Sequence, residues 1–473
     1  MAKSEAAVLC PHVMIFPLPL QGPVKCMLKL AEMLSLAGIR VTFLNSHHVQ
    51  RRIPDSAAYL TTKYRNFRFQ TLPDGLPDDN PRTGDQILNL LQSMEDVSQP
   101  LFRQILHSAA TPVTCLIADG VFTFAARVAK DAGLPLLYFD TISPCGLWGL
   151  LSLPTLIQAG EVPFADEELD EVVGGMEGGV MRRRDLPSFC RIKDMKDPII
   201  ELVIKEAKHI PLAQGLIFNT FQHLDAPILS QMLSICPNIY AVGPLHAHLK
   251  TRLAADAASN SIWEEDKSCI SWLHSQPPKS VIYVSIGSLA VMTRVQLYEI
   301  WHGLVNSGAR FLWARRPGSV SGSEPDDEVP LDLLEGTKER GYVVSWVPQE
   351  EVLAHPSVGG FLTHSGWNST LESIVAGKPM ICWPFHADQQ VNGRYVGEVW
   401  KLGLDMKDSC DRVVVEKMIR ELMEVRKDFF LERAHAMAKL AHSSVGPGGS
   451  SSLDFDRLIQ DIKMMNIPMN KIL

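Results

Sequence analysis

The sequence predicts an α/β protein built from two doubly wound, Rossmann-like domains that face each other across a cleft. Three observations carry this prediction. A chain of 473 residues is too long for one core and suits two domains of about 200 residues each. Short continuous apolar runs alternate with segments of helical periodicity, the pattern of a parallel sheet covered on both faces. That alternation dissolves once, near residues 246–262, and then starts again.

In order along the chain, HVMIFPL, VTFLNS, FRFQTL, TCLIADG, LPLLYFD and GLIFNT read as the strands of a first domain spanning residues 1–245. Several carry β-branched residues, and helical stretches such as CMLKLAEMLSLAG and FAARVAKDAG lie between them. The charged run FADEELDEVVGGMEGG reads as a solvated face. Around YAVGPLHAHLKTRLAADAASNS small and polar residues replace the pattern, so residues 246–262 read as a linker. SVIYVSIGS, RFLWARR, GYVVSWV, GGFLTHS and MICWP then supply five strands of a second domain, residues 263–450. SGSEPDDEVP is acidic and turn-rich, a surface loop. SSVGPGGSS precedes a last helical stretch, SLDFDRLIQDIKMM, within residues 451–473.

Composition removes several function classes. Hydrophobic content of 46% and charged content of 21% are those of a globular enzyme. A net charge of -8, with Arg182-Arg183-Arg184 as the longest basic run, argues against a nucleic-acid partner. No apolar run reaches the length of a membrane span, and no charged-then-apolar secretory pattern precedes the first strand. The nine cysteines are scattered and none forms C-x-x-C, so neither a disulfide framework nor a metal site is indicated. The expectation is a cytoplasmic monomer acting on small molecules. No G-x-G-x-x-G follows a strand and opens a helix, which opposes a dinucleotide cofactor.

Residues 346–389, WVPQEEVLAHPSVGGFLTHSGWNSTLESIVAGKPMICWPFHADQ, hold the chemistry. GGFLTHS reads as a strand, followed by a Gly-containing turn and the helix WNSTLESIVAG. Leu371, Ile374 and Val375 give that helix a buried face, Gly377 closes it and Pro379 stops it. A helix opening in Asn-Ser-Thr at a polar turn leaves backbone N–H groups at the positive end of a dipole, a phosphate seat. His364 and Ser365 add donors there. Each residue also has a bland reading: Ser369 and Glu372 fit a capping box, Trp367 fits a core aromatic, and His364 fits a satisfied histidine at a strand end.

The whole stretch resembles the C-terminal box of plant secondary-product UDP-glycosyltransferases. PLPLQG, RRRDLPSF, FNTFQHLDAPIL, VGPL, SIGS, FLWARRP and GPGGSS resemble further landmarks of that family in the right order. The resemblance implies a GT-B fold whose final helix crosses back to the first domain. It implies UDP-glucose as co-substrate, with no cofactor and no metal, and transfer with inversion to a small plant acceptor. In those terms Trp346 stacks on uracil and the Val347 backbone reads the uracil edge. Gln349 and Glu372 hold the ribose. Ser288, His364, Asn368 and Ser369 meet the diphosphate, and Asp388 and Gln389 hold the sugar. A box ending in Gln, with Trp367 before Asn368, goes with glucose. Asp388 is alternatively an N-cap of QQVNGRYV.

One departure bears on mechanism. Where the family reads Q-G-H, with the histidine as general base, this chain reads Gln21-Gly22-Pro23. Proline suits the first turn of a helix but takes up no proton. His12 begins the strand, roughly 30 Å away in an extended chain, and is no substitute. Asp119, which matches the acidic partner of the missing histidine, is a weak base, a water-orienting group or an architectural remnant. Four readings stay open: a carboxylic acid acceptor that needs no base, a surrogate base with His386 as candidate, a cleft reassigned to another reaction or to binding alone, and residual transfer to acidic phenols. Small terpenoid acids and iridoid-type acceptors are the closest match in flavour. His47 and His48 point apart as neighbours and make a poor metal pair. Phe122, Phe124, Leu147 and Trp148 fit either acceptor-pocket lining or core.

Overall fold

The computed structural model describes residues 11–53, 55–80, 82–174, 181–253, 265–322 and 331–465. The first domain holds a seven-stranded parallel sheet. Its strands are β1 (His12–Phe16), β2 (Arg40–Ser46), β3 (Phe67–Leu72), β4 (Cys115–Asp119), β5 (Leu136–Asp140), β6 (Gly215–Phe218) and β7 (Ile239–Ala241), in the order β3-β2-β1-β4-β5-β6-β7. Val13 of β1 registers against Val41 of β2 and Cys115 of β4. Along β1 the side chains alternate between two cores: Val13 and Ile15 pack on one face, Met14 and Phe16 on the other. Both faces are therefore apolar, which is why these strands read as unbroken hydrophobic runs.

The second domain repeats the plan with β8 (Val281–Ser285), β9 (Met292–Thr293), β10 (Arg310–Ala314), β11 (Val320–Ser321), β12 (Gly341–Val344), β13 (Val358–Thr363), β14 (Met380–Cys382) and β15 (Gly403–Asp405). Six of them form a parallel sheet ordered β12-β10-β8-β13-β14-β15, while β9 and β11 pair separately. Each sheet has one point where strand order reverses, between β1 and β4 and between β8 and β13. Crevices at such points, outside the carboxyl ends of the strands, are where ligands of these sheets bind.

The helix Ser450–Met464 returns to the first sheet. Phe455, Leu458 and Ile462 join the core of β1 and β2, Asp461 accepts from the Tyr240 hydroxyl at 2.7 Å, and Asp454 accepts from the Ala241 amide at 3.0 Å.

The linker reading needs correction. Leu245–Leu253 is a helix with His246, His248 and Leu249 buried, so residues 246–253 belong to the first domain; residues 254–262 lie outside the described ones. β7 and β15 were missed for one reason: three residues are too few for alternation to show. Ser321 of the expected acidic loop is in β11, while residues 323–330, and 175–179 of GGMEGG, lie outside the described residues.

Candidate functional site

β13 ends in a turn, His364-Ser365-Gly366, that opens the helix Trp367–Val375. Ser365 is held at φ 63°, a left-handed conformation that non-glycine residues seldom adopt and that concentrates at ligand sites. Gly366 is the N-cap, and no side chain caps the helix. Ser369 lies inside the first turn, so the capping-box reading is wrong. The first backbone bond of the helix is Thr370 N–H to Gly366 O, 3.0 Å. The N–H groups of Trp367, Asn368 and Ser369 have no acceptor among the described residues, and all three residues line the cleft cavity. Three aligned, unsatisfied donors at the positive end of a helix are a seat for an anion.

The neighbouring turn, after β8, brings Gly287 and Ser288 to the same cavity. The His364 ring is clasped between two glycines: a Cβ at Gly287 or at Gly366 would fall 2.4 Å from its Nε2. Gly287 also has φ 76°. Burial, and then His386, push the His364 pKa down to about 3, so the ring is neutral, and its Nδ1 is buried without a hydrogen-bond partner.

Deeper along the cleft, Trp346 is half-buried and lines the cavity. It follows β12 by two residues instead of ending it, and its carbonyl accepts from the Asp266 amide at 2.8 Å. The Val347 side chain is buried in the core, which leaves its backbone for recognition. Gln349 accepts from Tyr283 OH at 3.0 Å and donates to Ser369 Oγ at 2.9 Å and Glu372 Oε2 at 2.7 Å. The other oxygen of Glu372 accepts from Lys25 Nζ, 2.7 Å away on the first domain. Burial pushes the Glu372 carboxyl up, but Lys25, His246 and Lys29 together outweigh it and the net pKa is lowered. Lys29 and Lys250 pair with Glu350 next to it, at 2.5 and 2.9 Å. Sequence reasoning missed Lys25. It is an ordinary surface residue on one helix until the other domain is in place.

After β14, Ala387 is held at φ 60°, and His386 and Asp388 on either side of it both line the cavity. Asp388 stands at the N-cap position of Gln389–Arg394, as its alternative reading had it, but its side chain makes no capping bond. Its Oδ2 accepts from Ser143 N at 2.8 Å and Asn392 Nδ2 at 2.9 Å. The Gln389 carbonyl oxygen is held by the amides of Phe385 and His386, at 2.9 and 3.1 Å, leaving its amino group as the donor available to the cavity. The His386 ring lies on Gly84 of the first domain, where a Cβ would come within 2.9 Å. Trp367 is a core residue: it is 3% exposed, and its indole N–H donates to Asn219 O at 2.8 Å. Asn368 donates to Gly22 O at 3.0 Å and accepts from Asn219 Nδ2 at 3.2 Å.

On the first domain, Pro23 lies in the first turn of Gln21–Leu36 and lines the cavity beside Asp119. Asp119 accepts from Leu18 N, Val121 N and Thr141 Oγ1 at 3.3, 3.4 and 3.2 Å. Burial raises its pKa to about 6 against those three bonds. Two further buried acids line the same cavity and were not anticipated, Asp140 and Glu206. His12 is buried at the start of β1 with Nε2 2.8 Å from Thr42 Oγ1. His47 and His48 do not line the cavity, and no group of three or more His, Cys, Asp or Glu among the described residues is placed to hold a metal ion. Phe122, Phe124 and Leu147 are buried in the core and Trp148 packs against it. None lines the cavity; Leu150, Phe189 and Leu202 are among those that do. No described helix is long and apolar enough to cross a membrane.

A family model described as UDP-glucoronosyl and UDP-glucosyl transferase matches residues 212–435. Over 480 residues the chain is 50% identical to a 7-deoxyloganetic acid glucosyltransferase of Catharanthus roseus, covering 98% of this chain and 100% of that one. It is 43% identical to a myricetin 3-O-rhamnoside 1,2-glucosyltransferase of Crocosmia x crocosmiiflora, over 99% of this chain and 98% of that one. Among solved structures it is similar to Os79 from O. sativa in complex with UDP, with TM-score 0.80 and 26% identity over 95% of this chain and 100% of the other.

Proposed function

Because the chain belongs to the plant UDP-glycosyltransferase family and has its GT-B fold, we propose that it transfers glucose from UDP-glucose to a hydroxyl of an iridoid-type acid. The observation that carries the donor half is the uncapped start of the Trp367–Val375 helix, whose first three N–H groups find no acceptor among the described residues and belong to residues that line the cleft. In this reading the diphosphate sits there, with His364, Asn368, Ser369 and Ser288 around it. Uracil lies on Trp346 beside the Val347 backbone, and the ribose hydroxyls meet Glu372 and Gln349. The Gln389 amino group and Asp388 hold the glucose. Fixed dipoles and a neutral imidazole stabilise the charge that develops on departing UDP.

The acceptor oxygen attacks the anomeric carbon in line as the bond to UDP breaks, inverting the configuration. Its proton needs a destination, and Pro23 offers none. Asp119 is the group at hand: with a pKa near 6 it is ionised at neutral pH and is a better base than an ordinary carboxylate. A carboxylate as the attacking group fits less well, because it brings no proton for Asp119 to take and would meet that ionised carboxyl with no arginine lining the cavity. The acceptor class comes from the relative named for 7-deoxyloganetic acid; relatives named as glucosyltransferases also disfavour a cleft reassigned to other work.

Mass spectrometry of a reaction with UDP-glucose and 7-deoxyloganetic acid tests this. The expected product is heavier by one hexosyl unit and resists mild alkali, as a glucoside does and a glucose ester does not. No product from the acid with intact UDP binding would overturn the acceptor assignment.

A further inference from the structure

Asp140 and Glu206 have no part in the reaction just described, yet both open on its cavity. Asp140 ends β5 and is 3% exposed; its Oδ2 is buried without a hydrogen-bond partner and sits where a Cβ on Gly120 would come within 2.7 Å. Glu206, on the helix Pro198–His209, is 5% exposed, and its carboxyl makes no hydrogen bond to any described residue. A buried polar group left unsatisfied costs about 1–3 kcal/mol, so the Asp140 oxygen points to a ligand that satisfies it, with Glu206 lining the same cavity.

Their surroundings settle what form they take. Facing them are Asp119 from β4, Asp388 across the cleft, Tyr138 from β5, and Cys190 from a short helix packed on Pro198–His209. None is a cation. Lys205 on the same helix pairs with Glu201 at 3.0 Å, and Lys25, the lysine lining the cavity, is taken by Glu372. Burial, then the neighbouring carboxyls, raise Asp140 well above the usual range, and burial, then Asp119, raise Glu206 to about 8. Glu206 is therefore mostly protonated at neutral pH and Asp140 shifts the same way, each favoured by an apolar site in the neutral form that donates a hydrogen bond.

We propose that Asp140 and Glu206 are the acceptor-specificity residues of this enzyme, recognising a carboxylate on the acceptor through a pair of carboxyl-to-carboxylate hydrogen bonds. Hydrogen bonds from a neutral donor to an ionised acceptor are about twice as strong as neutral ones, and one carboxylate satisfies both donors at once. The sheet order supplies the spacing. Asp119 ends β4 and Asp140 ends the neighbouring strand β5, ~4.8 Å away across the sheet, so a carboxylate held at Asp140 lies one strand from the base; Glu206, on its helix, lines the same cavity. This rests on the acceptor being a hydroxy acid.

Calorimetry in the presence of UDP, with two acid and methyl ester pairs (7-deoxyloganetic acid and cinnamic acid), tests it. Wild type binds the acid at least about tenfold more tightly than its ester at pH 6.5, and loses that preference above about pH 8 as Glu206 ionises. Glu206→Gln, which still donates, keeps the preference and flattens its pH dependence. Glu206→Leu abolishes the preference and leaves ester binding unchanged. Preference in the cinnamic pair alone supports the inference and sinks the iridoid assignment. No preference in either pair, equal weakening of acid and ester in Glu206→Leu, or tighter binding of an ammonium analogue than of the acid overturns it. So does a ligand-free infrared spectrum at pH 7 without a protonated-carboxyl band that Glu206→Gln removes.

Discussion

Pro23 sits in the first turn of its helix, where a backbone N–H has no partner to lose. Its presence leaves the fold intact while taking a titrating group out of the cleft. In the proposed reaction Asp119 then bears the proton transfer alone, and the expected pH profile reads its state: kcat/KM rises with pH to a plateau above about 6, where the carboxyl is ionised. Asp119→Asn lowers kcat by on the order of 10²–10⁴ with little change in UDP binding. His386→Ala, if His386 were the base, would do the same. The expectation is a drop below about tenfold, since its ring packs on Gly84. Pro23→His adds an imidazole beside Asp119 and extends activity to less acidic alcohols, read as product from an aliphatic alcohol that wild type leaves untouched. At this scale the residues proposed to hold the donor were legible because most of them crowd into one continuous stretch. Lys25, Asp140 and Glu206 were not, because each is an isolated charge whose meaning comes from a partner on another strand or another domain.

Among the elements, the turn after β13 and the turn after β8 act as one unit, with the His364 ring wedged between Gly366 and Gly287. Both glycines are needed for the same reason: the ring occupies the space a side chain would take. Gly287→Ala adds a Cβ 2.4 Å from Nε2 at a residue held at φ 76°. Strain of about 1–3 kcal/mol is relieved by moving the ring off the anion seat. Calorimetry should therefore find UDP affinity lowered at least about tenfold, with a modest loss in melting temperature. Melting loss with unchanged UDP affinity would mean that the ring tolerates displacement. The turn-helix unit was readable in sequence, since period, closing Gly377 and stopping Pro379 all agree. The helix Leu245–Leu253 was not: small and polar residues there look like a linker, and only packing against Gln21–Leu36 shows why His246 and His248 are buried.

Across the whole molecule, the two domains meet through polar bonds more than through a shared apolar core. Lys25 to Glu372, Asn368 to Gly22 O, Trp367 to Asn219 O and Ser143 N to Asp388 all span the cleft. The same closed cleft buries acids, and the consequence is a stability that depends on pH with a definite sign. Burial raises Asp119 to about 6, Asp225 to about 7 and Glu206 to about 8, against about 4 in an unfolded chain. Between about pH 4 and 8 the folded state therefore holds protons that the unfolded state has released, so stability falls as pH rises through that window. Glu350 and Glu372 act oppositely. Their lowered values, set by the facing lysines against burial, add stability that is present above about pH 4.5 and is lost below it. Melting temperature should peak near the acid end, at about pH 5, and decline toward pH 8. Glu206→Gln removes the most strongly raised of these three carboxyls and should flatten the decline between about pH 6.5 and 8 in thermal scans. A wild-type melting temperature that climbs from pH 5 to 8 would show that these acids are ionised in the folded cleft. The protonated pair assigned to acceptor recognition would fall with it.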